Sequence, residues 1–304
     1  MTPFEPRPVP GVCESVVFRG AAAARGAVPD ILIEAPHGAT RAAHFDALRG
    51  ELQGPFEDGL REYFFVNTDV GAPETALDVA RLVVAAAPER SVLVLRCLVP
   101  RTFVDCNRIV DAATRPSASG AGQMTPGVAS YVTGAADLRL LLDRHAAYTA
   151  ETTRAFDAVC GAGGTALMLH SYAPKSVDVP VDDRIVERLR EAYLPEAYAQ
   201  WPWRAEVDLI TTPPDGARLA DDALAARVEA GFRREGLSVA RNGAYSLHPS
   251  SMAWLHASRH AGRTLCLEMR RDLLVREFTP FAEMDADPAK TKRMAAVLAD
   301  ALAR

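Results

Sequence analysis

Two histidines stand at the ends of short apolar runs in this chain of 304 residues. His37 follows the run Ile31–Ala35, and His170 lies at the end of the run that begins at Thr165. Both runs have the length and composition of buried strands. In an open parallel sheet the carboxyl ends of the strands face the ligand crevice, so each histidine is a candidate for metal binding or proton transfer.

A carboxylate could complete a metal site with these two histidines. Glu74 follows Pro73 at the start of a predicted helix. Two imidazoles and one carboxylate leave one coordination position open, which is the arrangement found in zinc hydrolases. The three residues are far apart in sequence, and no H-E-x-x-H motif is present. The pattern alone is therefore compatible with two interpretations, a metal site or three unrelated polar residues.

Glu268 lies inside an otherwise apolar strand, 264–269. One interpretation is a general base whose pKa is raised by burial. The other is a structural ion pair with Arg270 or Arg271.

The segment 105–108 offers groups that could bind a carboxylate. Arg108 can hold a carboxylate through two parallel hydrogen bonds, Asn107 can add a neutral donor, and Asp105 could orient them both. The alternative is a solvated turn after a strand.

Alternating strands and helices must position these residues. We predict strands at 31–35, 63–66, 91–95, 165–171, 207–210 and 264–269, and helices at 41–52, from 73 onward, at 136–159, at 224–236 and at 289–303. This order predicts an α/β fold with a mixed, largely parallel central sheet and helices on both faces. We expect a single domain over 1–304, with a small lid or insertion at about 173–206. The stretch 116–134 is rich in Ser, Gly, Ala and Pro, which is typical of a mobile loop or lid.

Composition excludes several classes of function. The chain has 34 basic and 39 acidic residues and a formal net charge of -5, and no basic stripe, so we expect no nucleic-acid partner. No window approaches the roughly 20 consecutive apolar residues of a membrane helix, and the amino terminus lacks the pattern of a leader peptide, so we expect a cytoplasmic protein.

Five cysteines without C-x-x-C spacing indicate buried, reduced thiols. No pattern specifies an oligomeric state.

Taken in order, six segments give the chain a resemblance to the N-formylglutamate amidohydrolase family over about residues 30 to 275. The most specific are the Arg-x-x-x-Asp-x-Asn-Arg segment, the His-Ser pair at a strand end and the late Glu-x-x-Arg strand. The six segments are 36–38, 69–74, 101–108, 169–171, 242–245 and 267–271. The resemblance implies a fold similar to the zinc carboxypeptidases and aspartoacylase-like amidohydrolases, with one catalytic Zn²⁺.

The resemblance also implies roles for individual residues. His37 and His170 correspond to metal ligands and Glu74 to the acidic ligand, with Asp69 as the alternative for that third position. Glu268 corresponds to the general base.

Further residues correspond to the substrate site of the family. Asn107 and Arg108 correspond to the groups that bind the α-carboxylate, and Tyr245 and Arg270 to the pocket. The chain departs from the family pattern after Tyr245, where Ser-Leu-His-Pro replaces glycines, and in the late strand, where Arg270 and Leu274 replace an asparagine and a tyrosine. These changes leave room for an N-acyl amino acid other than formylglutamate.

The resulting expectation is a zinc-dependent amidohydrolase that cleaves a small N-acyl, formyl-like amino acid with a free carboxylate. Two alternatives remain: a carboxypeptidase-like metallopeptidase on short peptides, and a non-catalytic carboxylate-binding protein on the same fold.

Overall fold

A computed structural model describes residues 4–110 and 127–303, and a seven-stranded sheet forms the centre of this part of the chain. The strand order is β1-β3-β2-β4-β7-β5-β6. The strands are β1 (Cys13–Arg19), β2 (Ile31–Ala35), β3 (Ser91–Cys97), β4 (Thr165–Tyr172), β5 (Val207–Ile210), β6 (Val239–Arg241) and β7 (Thr264–Arg270).

The helices of the described residues cover both faces of this sheet. They are α1 (Ala42–Glu51), α2 (Leu60–Asn67), α3 (Ala72–Ala86), α4 (Ala135–Gly161), α5 (Ile185–Ala192), α6 (Pro195–Gln200), α7 (Asp222–Arg234), α8 (Met252–Arg259) and α9 (Pro288–Ala303). Apolar residues of α3, α7 and α9 form one core, and those of α1, α2, α4, α5 and α8 contribute to the other.

The sheet is mixed and largely parallel. The central strands β3, β2, β4 and β7 run parallel, whereas β1 is antiparallel to β3, and β5 is antiparallel to β7 and parallel to β6. Strand β2 is buried throughout, with Leu32 in one core and Ile31 and Ile33 in the other. A strand that is buried on both faces reads as a largely apolar run, and β2 is apolar except for Glu34, whose carboxylate accepts a hydrogen bond from Tyr148. The predicted fold class is confirmed.

The prediction of a strand at 63–66 is wrong, because these residues lie in helix α2. Four consecutive apolar residues fit either periodicity, so the pattern could not decide between them. In the helix, Phe64 packs its ring 5.5 Å from that of Phe45 and 5.3 Å from that of Phe65, measured between centroids. The short edge strand β6 was not predicted, since two of its residues are only partly buried and Arg241 is exposed.

The structure tests neither of the two predicted lids. Residues 116–126, the larger part of the predicted loop at 116–134, lie outside the described residues. The segment 173–206 contains α5 and α6, and its function as a lid stays a prediction. All five cysteines are buried and none forms a disulfide, as expected. No helix in the described ranges has both the length and the apolar character needed to cross a membrane.

His256 is a buried residue of α8 that packs against α4, and it should make the stability of the fold sensitive to acid. The ring of His256 stacks on that of Phe156, with centroids 4.0 Å apart and planes 3° from parallel. Among the described residues neither ring nitrogen has a hydrogen-bond partner. Burial, together with the nearby His260 and Arg259, lowers the pKa of His256 from 6.5 to about 4.

The unfolded chain should therefore bind a proton at His256 near pH 6.5, whereas the folded chain binds it only near pH 4. Stability falls as the pH drops through this window. His256→Phe keeps the stacked ring and removes the titration. Between pH 7 and pH 5 the free energy of unfolding should therefore fall by about 2 kcal/mol less in this variant than in the wild type. Urea denaturation at both pH values measures the two losses, and equal losses would contradict the assignment.

Candidate active site

Three polar side chains meet at the carboxyl ends of the central strands. Oδ2 of Asp69 lies 3.2 Å from Nδ1 of His37 and 3.0 Å from Nδ1 of His170. The two Nδ1 atoms are 3.2 Å apart. All three residues are at most 5% exposed. This arrangement could hold a metal ion, because three ligand atoms of the types that zinc prefers converge on one point.

The sheet and one tight turn bring these groups together. His37 follows β2, and His170 lies near the end of the neighbouring strand β4. Asp69 lies in the turn between α2 and α3, and Ser171 fixes this turn to β4: its backbone N–H donates to Oδ2 of Asp69 (3.3 Å) and its hydroxyl to the carbonyl of Val70 (2.9 Å). The turn also requires a glycine, since Gly71 has φ +89° and a Cβ there would lie 2.4 Å from Leu274.

Glu74, the acidic residue expected beside the histidines, has another partner. Its Oε2 accepts a hydrogen bond from the backbone N–H of Gly71 (3.2 Å), at the amino terminus of α3. A glutamate in the third helical position commonly turns back in this way to satisfy a free N–H group. The structure thus brings Asp69, and not Glu74, to the two histidines.

Asp105 supports the ring of His37 from the other side. Its Oδ1 lies 2.8 Å from Nε2 of His37 and accepts a hydrogen bond from the backbone N–H of Asn107 (2.9 Å). Arg101 donates to Oδ2 of Asp105 (3.0 Å). With the proton on Nε2 and shared with Asp105, the lone pair of Nδ1 points to Asp69 and His170. A carboxylate behind a histidine is the usual support of a metal ligand.

The carboxylates of Asp69 and Asp105 are held in the charged form. Burial alone would raise the pKa of Asp69, but the adjacent His37 and His170 outweigh burial and keep this pKa below its ordinary value. Burial also acts to raise the pKa of Asp105, and Arg101 and His37 hold it well below the ordinary value. Both side chains are therefore negatively charged at neutral pH, which is the state in which a carboxylate can bind a metal ion.

Glu268 lies beside this group. It is paired with His170 in the register of β7 against β4, is 9% exposed, and has one oxygen, Oε2, without a hydrogen-bond partner among the described residues. Burial raises its pKa to about 7, although His170 opposes the shift. A carboxyl group with this pKa can accept and return a proton near neutral pH.

Among the described residues, neither Arg270 nor Arg271 forms the ion pair with Glu268 that the sequence left open. Arg270 pairs with Asp272 through two hydrogen bonds of 2.9 Å and lies over the ring of Trp203. Arg271 donates to two backbone carbonyls, those of Val66 and Ser171. Arg270 does not line the cavity described next, whereas Arg271 does, because the strand ends at Arg270 and a short 3₁₀ turn follows.

A cavity of about 460 Å³ opens above these groups. Most of the predicted site residues line it: His37, Asp69, Asn107, Arg108, His170, Tyr245 and Glu268. Glu74 and Arg270 do not. Arg101 and Arg204 also line it, although neither was a predicted site residue. Arg101 stands four residues before Asp105 in the Arg-x-x-x-Asp motif, which was the available signal; no motif marks Arg204.

The predicted carboxylate-binding residues lie together in this cavity. The side-chain oxygen of Asn107 accepts a hydrogen bond from the backbone N–H of Ala253 (3.1 Å), which leaves its amide nitrogen as the donor for a ligand. Arg108 is buried and donates to the carbonyl of Asn107 (3.1 Å). Tyr245 is 38% exposed, and its hydroxyl accepts a hydrogen bond from Arg204 (3.1 Å).

Comparison with known proteins relates this arrangement to one family. The family model for N-formylglutamate amidohydrolase matches residues 30–275. The solved structure of an N-formylglutamate amidohydrolase from Ralstonia eutropha JMP134 is 20% identical, covers 95% of this chain and 96% of its own, and has a TM-score of 0.57. The structure of a gene product from Agrobacterium tumefaciens is 18% identical, with 95% and 92% coverage and a TM-score of 0.52. These two structures share the fold. No curated protein matches the chain.

Proposed function

Because the chain belongs to the N-formylglutamate amidohydrolase family and is therefore a hydrolase of amide bonds, we propose that it cleaves an N-acyl amino acid with a free carboxylate, using a metal ion. The observation that carries the proposal is the convergence of His37, Asp69 and His170, with their ligand atoms 3.0–3.2 Å apart, next to the unpaired carboxylate oxygen of Glu268.

The donor set fits zinc. His37, Asp69 and His170 would hold a zinc ion, because zinc prefers imidazole nitrogens and carboxylate oxygens as ligands. The charged state of Asp69 and the support of His37 by Asp105 favour this assignment. Such an ion would supply Lewis acidity and lower the pKa of a water molecule to about 7.

The residues of the chain would hold the substrate and move the proton. Arg108 and Asn107 bind the substrate carboxylate, which places the scissile amide over Asp69 and the histidines. Glu268 takes a proton from the attacking water and returns it to the leaving nitrogen when the C–N bond breaks. The acyl carbon gains the hydroxyl group and the nitrogen gains the proton, so the products are a carboxylic acid and an amino acid. Arg101, whose Nη1 lies 3.3 Å from Nδ1 of His37, supplies positive charge for the oxygen of the carbonyl.

Metal content tests the ligand set. After dialysis against zinc and then against buffer, we expect about one zinc ion per chain in the wild type. The reason is that the two imidazoles and the carboxylate converge on one point. Asp69→Asn should lose this zinc, since an amide is a weak ligand. Glu74→Gln should keep it, because glutamine can still accept the hydrogen bond from Gly71. Plasma mass spectrometry measures the content. Loss in Glu74→Gln with retention in Asp69→Asn would reverse the assignment.

A second variant tests the proton transfer. Glu268→Gln keeps the shape of the side chain and cannot take a proton, so kcat for a panel of N-formyl amino acids and dipeptides should fall by about 10²–10⁴-fold. Its zinc content should equal that of the wild type. The exposed Glu277→Gln serves as the control with unchanged kcat. Near-wild-type turnover in Glu268→Gln would remove this residue from the reaction, and preferential cleavage of the dipeptides would indicate a peptidase.

A further inference from the structure

The cavity has an apolar wall that the proposed reaction does not use. All of this wall comes from residues 177–193, after strand β4. Its members are Val177, Val179, Val181, Ile185, Leu189 and Tyr193.

The sequence of this segment turns its apolar side chains to the cavity. In Val177-Asp178-Val179-Pro180-Val181 the valines alternate with other residues, and in an extended chain alternate side chains lie on the same side. The valines are partly buried and line the cavity, whereas Asp178 and Pro180 are exposed. Asp178 also touches the cavity, from its exposed position.

Helix α5 continues the same surface. Ile185 and Leu189 are four residues apart, so they share one face of the helix, and both are buried and line the cavity. The charged residues Glu187 and Arg190 lie on the exposed side. The valines and helix α5 thus both present apolar side chains to the cavity, in which a substrate must lie.

The cationic groups near this wall already have partners. Lys175 donates to two backbone carbonyls of α6, and Arg204 donates to the hydroxyl groups of Ser176 and Tyr245. Arg271 donates to two backbone carbonyls through its terminal nitrogens, and its buried Nε has no hydrogen-bond partner among the described residues. A second substrate carboxylate that bound Lys175 or Arg204 would compete with their bonds, whereas an apolar group would displace only water from the valines.

We infer that the preferred substrate carries an apolar group of several carbons, which packs against the wall formed by Val177, Val179, Val181, Ile185, Leu189 and Tyr193. The inference rests on the proposed function. The size of the cavity agrees with it, since about 460 Å³ lies within the range of about 300–1,000 Å³ typical of pockets that enclose drug-sized ligands. The apolar group belongs either to the side chain of the amino acid or to the acyl group.

Two homologous series on the zinc-loaded full chain test the inference and separate these two sources. One series is N-formyl-glycine, -alanine, -norvaline and -norleucine; the other is N-formyl-, N-acetyl-, N-butanoyl- and N-hexanoyl-glycine. We expect kcat/KM to rise by about fourfold per added methylene in one of them. The series that rises identifies the half of the substrate that contacts the wall.

Three outcomes would overturn the inference. A flat dependence in both series, or a higher kcat/KM for N-formyl-L-glutamate than for the norleucine derivative, would overturn it and leave the proposed function in place. The second result would assign Arg204 to a second carboxylate. Hydrolysis of none of the compounds would overturn the proposed function as well.

Variants of the wall provide a matched test. Replacing Val177, Val179 and Val181 together by threonine nearly keeps the shape of the wall and makes it polar, so the rise of kcat/KM with chain length should flatten. Val16→Thr, on the exposed side of edge strand β1 at 46% exposure, should keep the wild-type rise. Zinc content and the melting temperature report on folding. If the triple variant does not fold, Val179→Thr alone should flatten the rise partly, and an unchanged rise would overturn the assignment of the wall.

Discussion

The contact between one buried carboxylate and two buried histidines is the constraint on which the rest of the site depends. Asp69 reaches His37 and His170 only because its turn is bonded to strand β4 through Ser171. A buried charge without partners would cost several kcal/mol, so each of these groups needs the other two, and Asp105 in turn supports His37. The same contacts hold the turn in place and create a set of converging ligands.

The order of the strands extends this constraint to Glu268. Strand β4 lies between β2 and β7, so its end is next to both His37 and Glu268. The environment that keeps Asp69 charged has the opposite effect on Glu268, whose pKa is raised by burial and by the charge of Asp69. Two carboxylates in one site thereby acquire different protonation behaviour, which is consistent with the separate roles proposed for them.

Much of this could be predicted from the sequence, for a physical reason. Strands β2, β4 and β7 are buried on both faces and read as apolar runs, so His37, His170 and Glu268 stood out at or near their ends. The choice between Asp69 and Glu74 could not be made, because it depends on the direction of each carboxylate. A glycine with positive φ and the hydrogen bond from Ser171 set that direction. The position of Arg270 outside the cavity could not be predicted either, because strand β7 ends there and a 3₁₀ turn follows.

The most direct test of the proposed metal centre is a crystal structure of the zinc-loaded protein with anomalous data collected on both sides of the zinc absorption edge. We expect one strong peak about 2.0–2.2 Å from Nδ1 of His37, Nδ1 of His170 and a carboxylate oxygen of Asp69, with Glu268 nearby and not coordinated. A peak bound by Glu74, or no peak among these residues in crystals that contain zinc, would contradict the metal centre on which the proposed function rests.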